Sequence, residues 1–233
     1  RYHEKCVCTT DDPIDDLRYH KKTRESGFEI KMLPAWRPDK AMNIEKPDYA
    51  EYINKLAEVD DSHITTFQEM VDALQNRHDF FAENGCKLSD HGVEEFYDDP
   101  YTDSQIEIIF EKAMRKQHLS AEEIRQYKHA FLKICAEMDA DADWTQQYHY
   151  GAIRDNNTLM YKQLGPDTGF DSIGEFNTAK AMSHFLDDLN TEGKLTRTIL
   201  YCLNPGDNEM VATMIGNFQG GEPGKIQFGS GWW

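Results

Sequence analysis

The sequence is poor in positive charge and has no long apolar run, and each shortage excludes a class of protein. Its 233 residues include 25 Lys and Arg against 42 Asp and Glu, which gives a formal net charge of −17. A surface of this sign repels phosphate backbones, so nucleic-acid binding is a poor interpretation. No run approaches the roughly 18 apolar residues that a membrane-spanning helix needs. We therefore expect no nucleic-acid partner and no membrane partner.

Cysteine is scarce, and its number is odd. The five cysteines are Cys6, Cys8, Cys86, Cys135 and Cys202, and four of them lie in apolar segments typical of strands or helices. A disulfide framework is therefore not expected, whereas reduced core cysteines in a cytoplasm are. Cys6 and Cys8 could supply half of a metal site, but no matching Cys pair follows. The chain shows no basic and apolar leader, so no signal peptide is expected.

Six short apolar runs alternate with amphipathic stretches. The runs cover residues 5–10, 28–34, 86–89, 147–153, 198–203 and 225–229, and polar residues, Gly or Pro close each of them. This pattern is typical of buried strands. The stretches between them predict helices over residues 12–25, 62–84, 104–116, 120–138, 173–191 and 208–215. Asp12 before a proline predicts the N-cap of the first helix, and Ser120 with Glu123 predicts a capping box.

The regular alternation predicts an α/β fold in which helical crossovers join parallel strands. A doubly wound sheet and a (β/α)8 TIM barrel both have this pattern. No Gly-x-Gly-x-x-Gly follows a strand and no Gly-Lys-Ser/Thr loop occurs, which disfavours a nucleotide-binding doubly wound fold. Polar residues follow almost every run, and this favours a barrel whose C-terminal strand ends form one catalytic face.

Arg37 and His149 are the first candidates at these strand ends. Arg37 stands in a Pro-Ala-Trp-Arg-Pro segment that restrains its backbone, so its guanidinium is suited to a bidentate contact with a carboxylate or phosphate. The alternative is a salt bridge to Asp39 at the rim. His149 lies between two tyrosines of an apolar run. It is either a buried structural histidine or a metal ligand or proton carrier.

Asp90, His91, Trp232 and Trp233 complete the candidate site. Asp90 and His91 are neighbours on a strand and point apart, so one of the two is expected to face the site. Trp232 and Trp233 follow Gly231 and form either an aromatic wall for a sugar ring or a core pair.

Longer segments resemble one known family. The resemblance lies in Leu33-Pro-Ala-Trp-Arg-Pro-Asp-Lys40, in Ser89-Asp-His-Gly92, and in segments 8–17, 164–173, 199–205 and 225–233. Together, and in this order, they resemble the strand-end signatures of the uronate isomerases. These enzymes are (β/α)8 members of the amidohydrolase superfamily. They interconvert D-glucuronate with D-fructuronate and D-galacturonate with D-tagaturonate.

The resemblance implies a domain organisation and a cofactor. Residues 1–233 would be part of a single metal-dependent hydrolase-like barrel, covering strands two to seven, with a helical insertion around residues 100–140. The family's His-x-His metal pair on strand one and its Asp and Arg on strand eight have no counterpart here. A divalent metal, expected to be zinc, would therefore be bound mainly by residues outside this chain, and the fragment alone would be inactive.

The resemblance also implies roles for the candidate residues. Arg37 would hold the C6 carboxylate of the sugar acid, His149 would act in catalysis, and Trp232 and Trp233 would border the sugar. The expected function is hexuronate isomerisation in the catabolism of a bacterial cytoplasm, with a homo-oligomer compatible with the sequence. A metal-dependent hydrolase is one alternative, disfavoured because the fifth apolar run ends in Asn-Pro at residues 204–205 without a His. A sugar-acid-binding fragment without catalysis is the other.

Overall fold

A parallel sheet of six strands organises the protein, whose computed structural model describes residues 3–231. The strands of this range are β1 (Cys6–Asp11), β2 (Lys31–Trp36), β3 (Leu88–Val93), β4 (Thr145–Tyr150), β5 (Ala152–Ile153), β6 (Ser172–Ile173), β7 (Thr198–Cys202) and β8 (Ile226–Phe228). Strands β1, β2, β3, β4, β7 and β8 pair side by side in that order, all parallel. All six predicted strands are confirmed, and their sequential order is that of part of a (β/α)8 barrel. Their numbering as strands two to seven stays a prediction.

The ladders between neighbouring strands of this sheet differ in length. The β1–β2, β3–β4 and β4–β7 ladders each extend over five or six register pairs. The β2–β3 ladder, in contrast, is limited to one register pair, in which Trp36 lies opposite Ser89. Strands β5 and β6 form a separate antiparallel pair in the connection between β4 and β7.

Helices cover one face of the sheet. Those of residues 3–231 are α1 (Arg18–Glu25), α2 (Asp39–Met42), α3 (Tyr49–Asp60), α4 (Phe67–Glu83), α5 (Asp103–Met114), α6 (Ala121–Asp141), α7 (Thr158–Leu164), α8 (Ala179–Thr191) and α9 (Asn208–Ile215). The predicted helix over 208–215 is confirmed, and the capping box of Ser120 and Glu123 opens α6 as predicted. Helices α5 and α6 occupy the region of the predicted insertion, but their being an insertion stays a prediction. No helix of the described chain combines the length and apolarity needed to cross a bilayer.

The prediction that Asp12 caps the first helix is wrong. Helix α1 begins at Arg18. The Asp12 carboxylate instead accepts a hydrogen bond from the Ile14 backbone N–H at 3.1 Å and one from the Tyr52 hydroxyl at 2.9 Å, and it lies 3.0 Å from Lys40 Nζ. Asp12 therefore closes a turn at Ile14 and ties it to α3, and the helix starts only at Arg18.

The main core lies between the sheet and the helices. Trp36, Tyr148 and Leu200 are fully buried on this helix-facing side of the sheet. Each such side chain contributes roughly 1.5–3 kcal/mol through removal from water. Because side chains alternate along a strand, the residues next to these three in each strand point to the opposite face of the sheet. That face carries the candidate site.

A group of polar side chains around Asp139 is buried within this core. The carboxylate of Asp139 in α6 is fully buried. It accepts a hydrogen bond from the Ser89 hydroxyl at 2.5 Å and lies 3.2 Å from His78 Nε2. The His78 ring in turn stacks on Trp144 with ring centroids 3.7 Å apart. This group attaches α4 and α6 to β3.

Candidate functional site

Four side chains meet at the C-terminal ends of neighbouring strands, on the face of the sheet opposite the main core. Arg37 follows β2, Asp90 lies in β3, His149 in β4 and Tyr201 in β7. The parallel register places Gly92, His149 and Tyr201 side by side across three strands. Asp90, two residues before Gly92, points to the same side. We refer to Arg37, Asp90, His149 and Tyr201 as the strand-end cluster.

Asp90 is the centre of the strand-end cluster. One carboxylate oxygen, Oδ2, accepts a hydrogen bond from Arg37 Nη1 at 3.1 Å, and the other, Oδ1, lies 2.6 Å from His149 Nδ1. Burial alone would raise the pKa of Asp90, but the hydrogen bond with His149 and the positive charge of Arg37 outweigh it, so the pKa lies below its ordinary value. Asp90 is therefore a carboxylate that links a cation to an imidazole.

Arg37 is bound by two carboxylates. Its Nε donates to Asp39 Oδ2 at 2.6 Å, in addition to the bond from Nη1 to Asp90. Burial would lower the pKa of the guanidinium, but the two carboxylates raise it. The salt bridge to Asp39 that the sequence offered as an alternative is thus present, and Asp90 is a second partner that joins Arg37 to the cluster.

Two contacts with described residues orient His149. Because Asp90 is ionised and only accepts, the bond at Nδ1 requires a proton on that nitrogen. The imidazole also stacks on the Tyr201 ring, with centroids 4.2 Å apart and planes 8° apart. The Tyr201 hydroxyl donates to Gln147 Oε1 at 2.9 Å, which fixes the phenol in turn. These contacts set the ring plane and direct Nε2 away from Asp90.

The structure places His91 apart from the strand-end cluster. Its ring is fully buried and stacks on Tyr148, with centroids 5.2 Å apart, on the helix-facing side of the sheet. Burial lowers the pKa of His91, and neither ring nitrogen has a hydrogen-bond partner among the described residues. The sequence required one of Asp90 and His91 to face the site, and the one that does so is Asp90. We therefore leave His91 out of the proposed site. Trp232 and Trp233 lie outside the described residues.

Tyr201 was not a sequence candidate, because a tyrosine within an apolar strand is an ordinary core residue. Its register with His149 was the signal that could have identified it. Space for its ring depends on Gly229, just after β8, where an added Cβ would lie 2.2 Å from Tyr201 Cδ1.

The strand-end cluster does not by itself form a metal centre. In residues 3–231, no three His, Cys, Asp or Glu side chains come close enough together to hold a metal ion. The cluster offers one carboxylate and one imidazole, and these two are bonded to each other. A divalent metal therefore does not fit the described residues alone.

Comparison with known proteins adds the family. The family model described as glucuronate isomerase matches residues 1–233. A uronate isomerase of Phocaeicola vulgatus is 66% identical over 235 residues, which cover 100% of this chain and 50% of that protein. One of Bacteroides thetaiotaomicron is 65% identical with the same coverage. The chain thus spans about half the length of the curated relatives it matches.

Solved structures agree with the fold. The crystal structure of a uronate isomerase from Thermotoga maritima matches with a TM-score of 0.92 and 33% identity, covering 98% of this chain and 49% of that one. That of a glucuronate isomerase from Caulobacter crescentus matches with a TM-score of 0.87, covering 98% of this chain and 47% of that one. Its identity is 23%, so this second likeness concerns the fold alone.

Proposed function

Because the chain belongs to the glucuronate isomerase family, we propose that the complete protein isomerises hexuronates between their aldose and ketose forms. The substrates would be D-glucuronate and D-galacturonate, and the products D-fructuronate and D-tagaturonate. One observation in the structure supports this most directly. The cation Arg37 and the oriented Asp90–His149 pair lie side by side at the C-terminal ends of neighbouring strands.

The acid–base chemistry is proposed for His149. Aldose–ketose isomerisation moves a proton between C2 and C1 through an enediol-like intermediate, and a positioned acid–base group contributes about 10²–10⁴-fold to such a step. With Nδ1–H bonded to Asp90, the proton that His149 exchanges would be at Nε2. Asp90 would hold this tautomer and stabilise the imidazolium when it forms.

The anchor for the substrate is proposed for Arg37. The open-chain hexuronate carries its carboxylate at C6, far from the reacting C1 and C2. Among the described residues, Arg37 donates from Nε to Asp39 and from Nη1 to Asp90, and its remaining N–H groups are the ones we assign to the substrate carboxylate. Fixing the far end of a flexible substrate lowers the entropic part of the barrier. Trp232 and Trp233 are proposed to border the sugar.

The charges of this region indicate that the described residues are only part of the anion site. Arg37 contributes one positive charge and is bonded to the carboxylates of both Asp39 and Asp90. An entering carboxylate therefore needs further positive charge, and we propose that a cation from the part of the protein that this chain does not span supplies it. We propose that a divalent metal, zinc, is held mainly there. We also propose a bacterial cytoplasm and glucuronate catabolism as the setting.

The test is an isomerase assay on the complete protein. D-glucuronate and D-galacturonate are supplied separately, and ketose formation is followed before chelation, after chelation and after return of the metal. D-glucose, which lacks the carboxylate, serves as the matched control substrate. We expect ketose from the uronates only, with loss on chelation and recovery with metal. Calorimetric binding of uronates without any ketose would instead favour the binding-protein alternative and refute the proposal.

A further inference from the structure

The Arg37 guanidinium is in contact with two residues outside the strand-end cluster, Asp39 and Gly92. Asp39 is the first residue of α2 and Gly92 lies in β3. The Asp39 carboxylate accepts from Arg37 Nε at 2.6 Å, and its Oδ2 also accepts from the Gly92 backbone N–H at 3.0 Å. One carboxylate therefore joins the guanidinium to the backbone at the end of β3.

Gly92 provides the space in which the guanidinium lies. A Cβ added at Gly92 would be 2.1 Å from Arg37 Nη2, 3.2 Å from Arg37 Cζ and 3.0 Å from Asp39 Oδ2. Gly92 is not among the glycines with positive φ, so its backbone would accept an alanine without strain. What excludes a side chain at this position is the guanidinium itself.

We infer that Asp39 and Gly92 are positioning residues that orient the Arg37 guanidinium toward the substrate carboxylate. Asp39 fixes the Nε edge, Asp90 fixes Nη1, and Gly92 lets Nη2 lie against the backbone. The orientation of the guanidinium is thereby set before substrate arrives, and the N–H groups that remain on Nη1 and Nη2 are the ones left for the substrate carboxylate. This reduces the ordering cost of a bidentate contact. The inference rests on the proposed role of Arg37 as the carboxylate anchor.

A side chain at Gly92 is expected to displace the Arg37 guanidinium and not to unfold the protein. Nη2 is the end of a flexible side chain, so it can move away from a new methyl group. Restoring an ordinary contact from 2.1 Å requires a shift of about 1.5 Å. A misplacement of about 1 Å can cost up to about 100-fold in rate. Because Arg37 is assigned to the C6 carboxylate and not to the reacting C1 and C2, we expect the weaker anchoring to appear mainly as a higher KM for uronates.

The experiment compares Gly92→Ala, Asp39→Glu and the control Gly216→Ala in the complete protein. Asp39→Glu keeps the negative charge and moves the carboxylate by one methylene group. Gly216 has a φ of −64°, and none of the described residues lies within 4 Å of an added Cβ. We expect Gly92→Ala and Asp39→Glu to raise the uronate KM at least tenfold at an unchanged Tm, and Gly216→Ala to change neither. In an Arg37→Ala background, Gly92→Ala is expected to add less than a twofold effect, because it acts only through Arg37.

Two results would overturn the inference. One is an unchanged uronate KM in both variants, and the other is an effect of Gly92→Ala that is equally large with and without Arg37. If the complete protein neither binds nor isomerises uronates, the proposed function fails while the inference stays testable. The crystal structure of Gly92→Ala then decides it, because Nη2 must move by about 1 Å or more from its wild-type position.

Discussion

Replacing Asp90 by Asn tests whether the Asp90–His149 pair is catalytic. The carboxylate has one oxygen on Arg37 Nη1 at 3.1 Å and one on His149 Nδ1 at 2.6 Å. An Asn side chain keeps one acceptor but turns the other into an amide donor. With the oxygen on Arg37, the amide N–H faces Nδ1 and favours the tautomer that carries its proton on Nε2. The atom proposed to accept a proton would then already hold one.

The expected loss follows from these two contacts. The wrong tautomer removes the acid–base contribution of about 10²–10⁴ in kcat. The amide oxygen keeps the hydrogen bond from Arg37 but without the negative charge of the carboxylate. We expect kcat of Asp90→Asn to fall by about 10²–10⁴ in ketose assays of the complete protein. The uronate KM should change less, because Arg37 keeps its bond to Asp39.

The chain offers a matched control for this substitution. Asp98 Oδ2 lies 2.9 Å from His184 Nδ1 in a half-exposed surface pair, which has the same chemistry as the Asp90–His149 pair. Asp98→Asn should leave kcat within twofold of wild type. A folded Asp90→Asn variant whose kcat stays within threefold of wild type would refute the catalytic role of the pair.

Three further predictions concern the anchor, the core and acid stability. Arg37→Lys should lower kcat/KM for uronates by tenfold or more because the bidentate geometry is lost. The control Arg125→Lys changes a guanidinium that is also paired with two carboxylates, and it should leave kcat/KM unchanged. Equal kcat/KM values for the two variants would contradict the assignment. Asp139→Ala leaves two buried hydrogen-bonding groups without their partner and should lower the free energy of unfolding in urea by about 3 kcal/mol, and an unchanged midpoint would count against this. Because the folded-state pKa of Asp90 is lowered, its charge stabilises the fold above the unfolded-state pKa of about 3.9 and loses that effect as the pH falls through the lower folded value. The stability difference between wild type and Asp90→Asn should therefore be constant above about pH 5 and shrink below about pH 4, and a difference that grows on acidification would show that the sign is wrong.

The elements that could be predicted from the sequence are those with a strong local signal. The strand runs were apolar, short and closed by Gly, Pro or polar residues, and the sheet contains all six. The capping box of Ser120 and Glu123 formed because it requires only residues within one helical turn. Asp12 carried an equally good local signal and accepts a hydrogen bond from the Ile14 N–H, but this bond closes a turn and not a helix. Asp12 is also held by Tyr52 and Lys40, and no local pattern contains such tertiary contacts.

The candidate site shows the same division. Arg37, Asp90 and His149 could be proposed individually, because each stands at the end of an apolar run. Their bonds to one another depend on register between strands that are more than 50 residues apart in sequence. Tyr201 was missed for this reason. Alternation could say that Asp90 and His91 face opposite sides, but only the packed helices decide which side is the core.

The short β2–β3 ladder implies that the strand-end cluster also helps to hold the sheet together. Backbone pairing between these two strands is limited to Trp36 and Ser89. Beyond that point, the bonds from Arg37 to Asp90 and from Gly92 to Asp39 cross the same gap with side chains. The residues proposed to bind the substrate therefore also connect the two strands that share the shortest ladder of the sheet. A ligand held by Arg37 and by residues of β3 or β4 would therefore add a further link between β2 and the rest of the sheet.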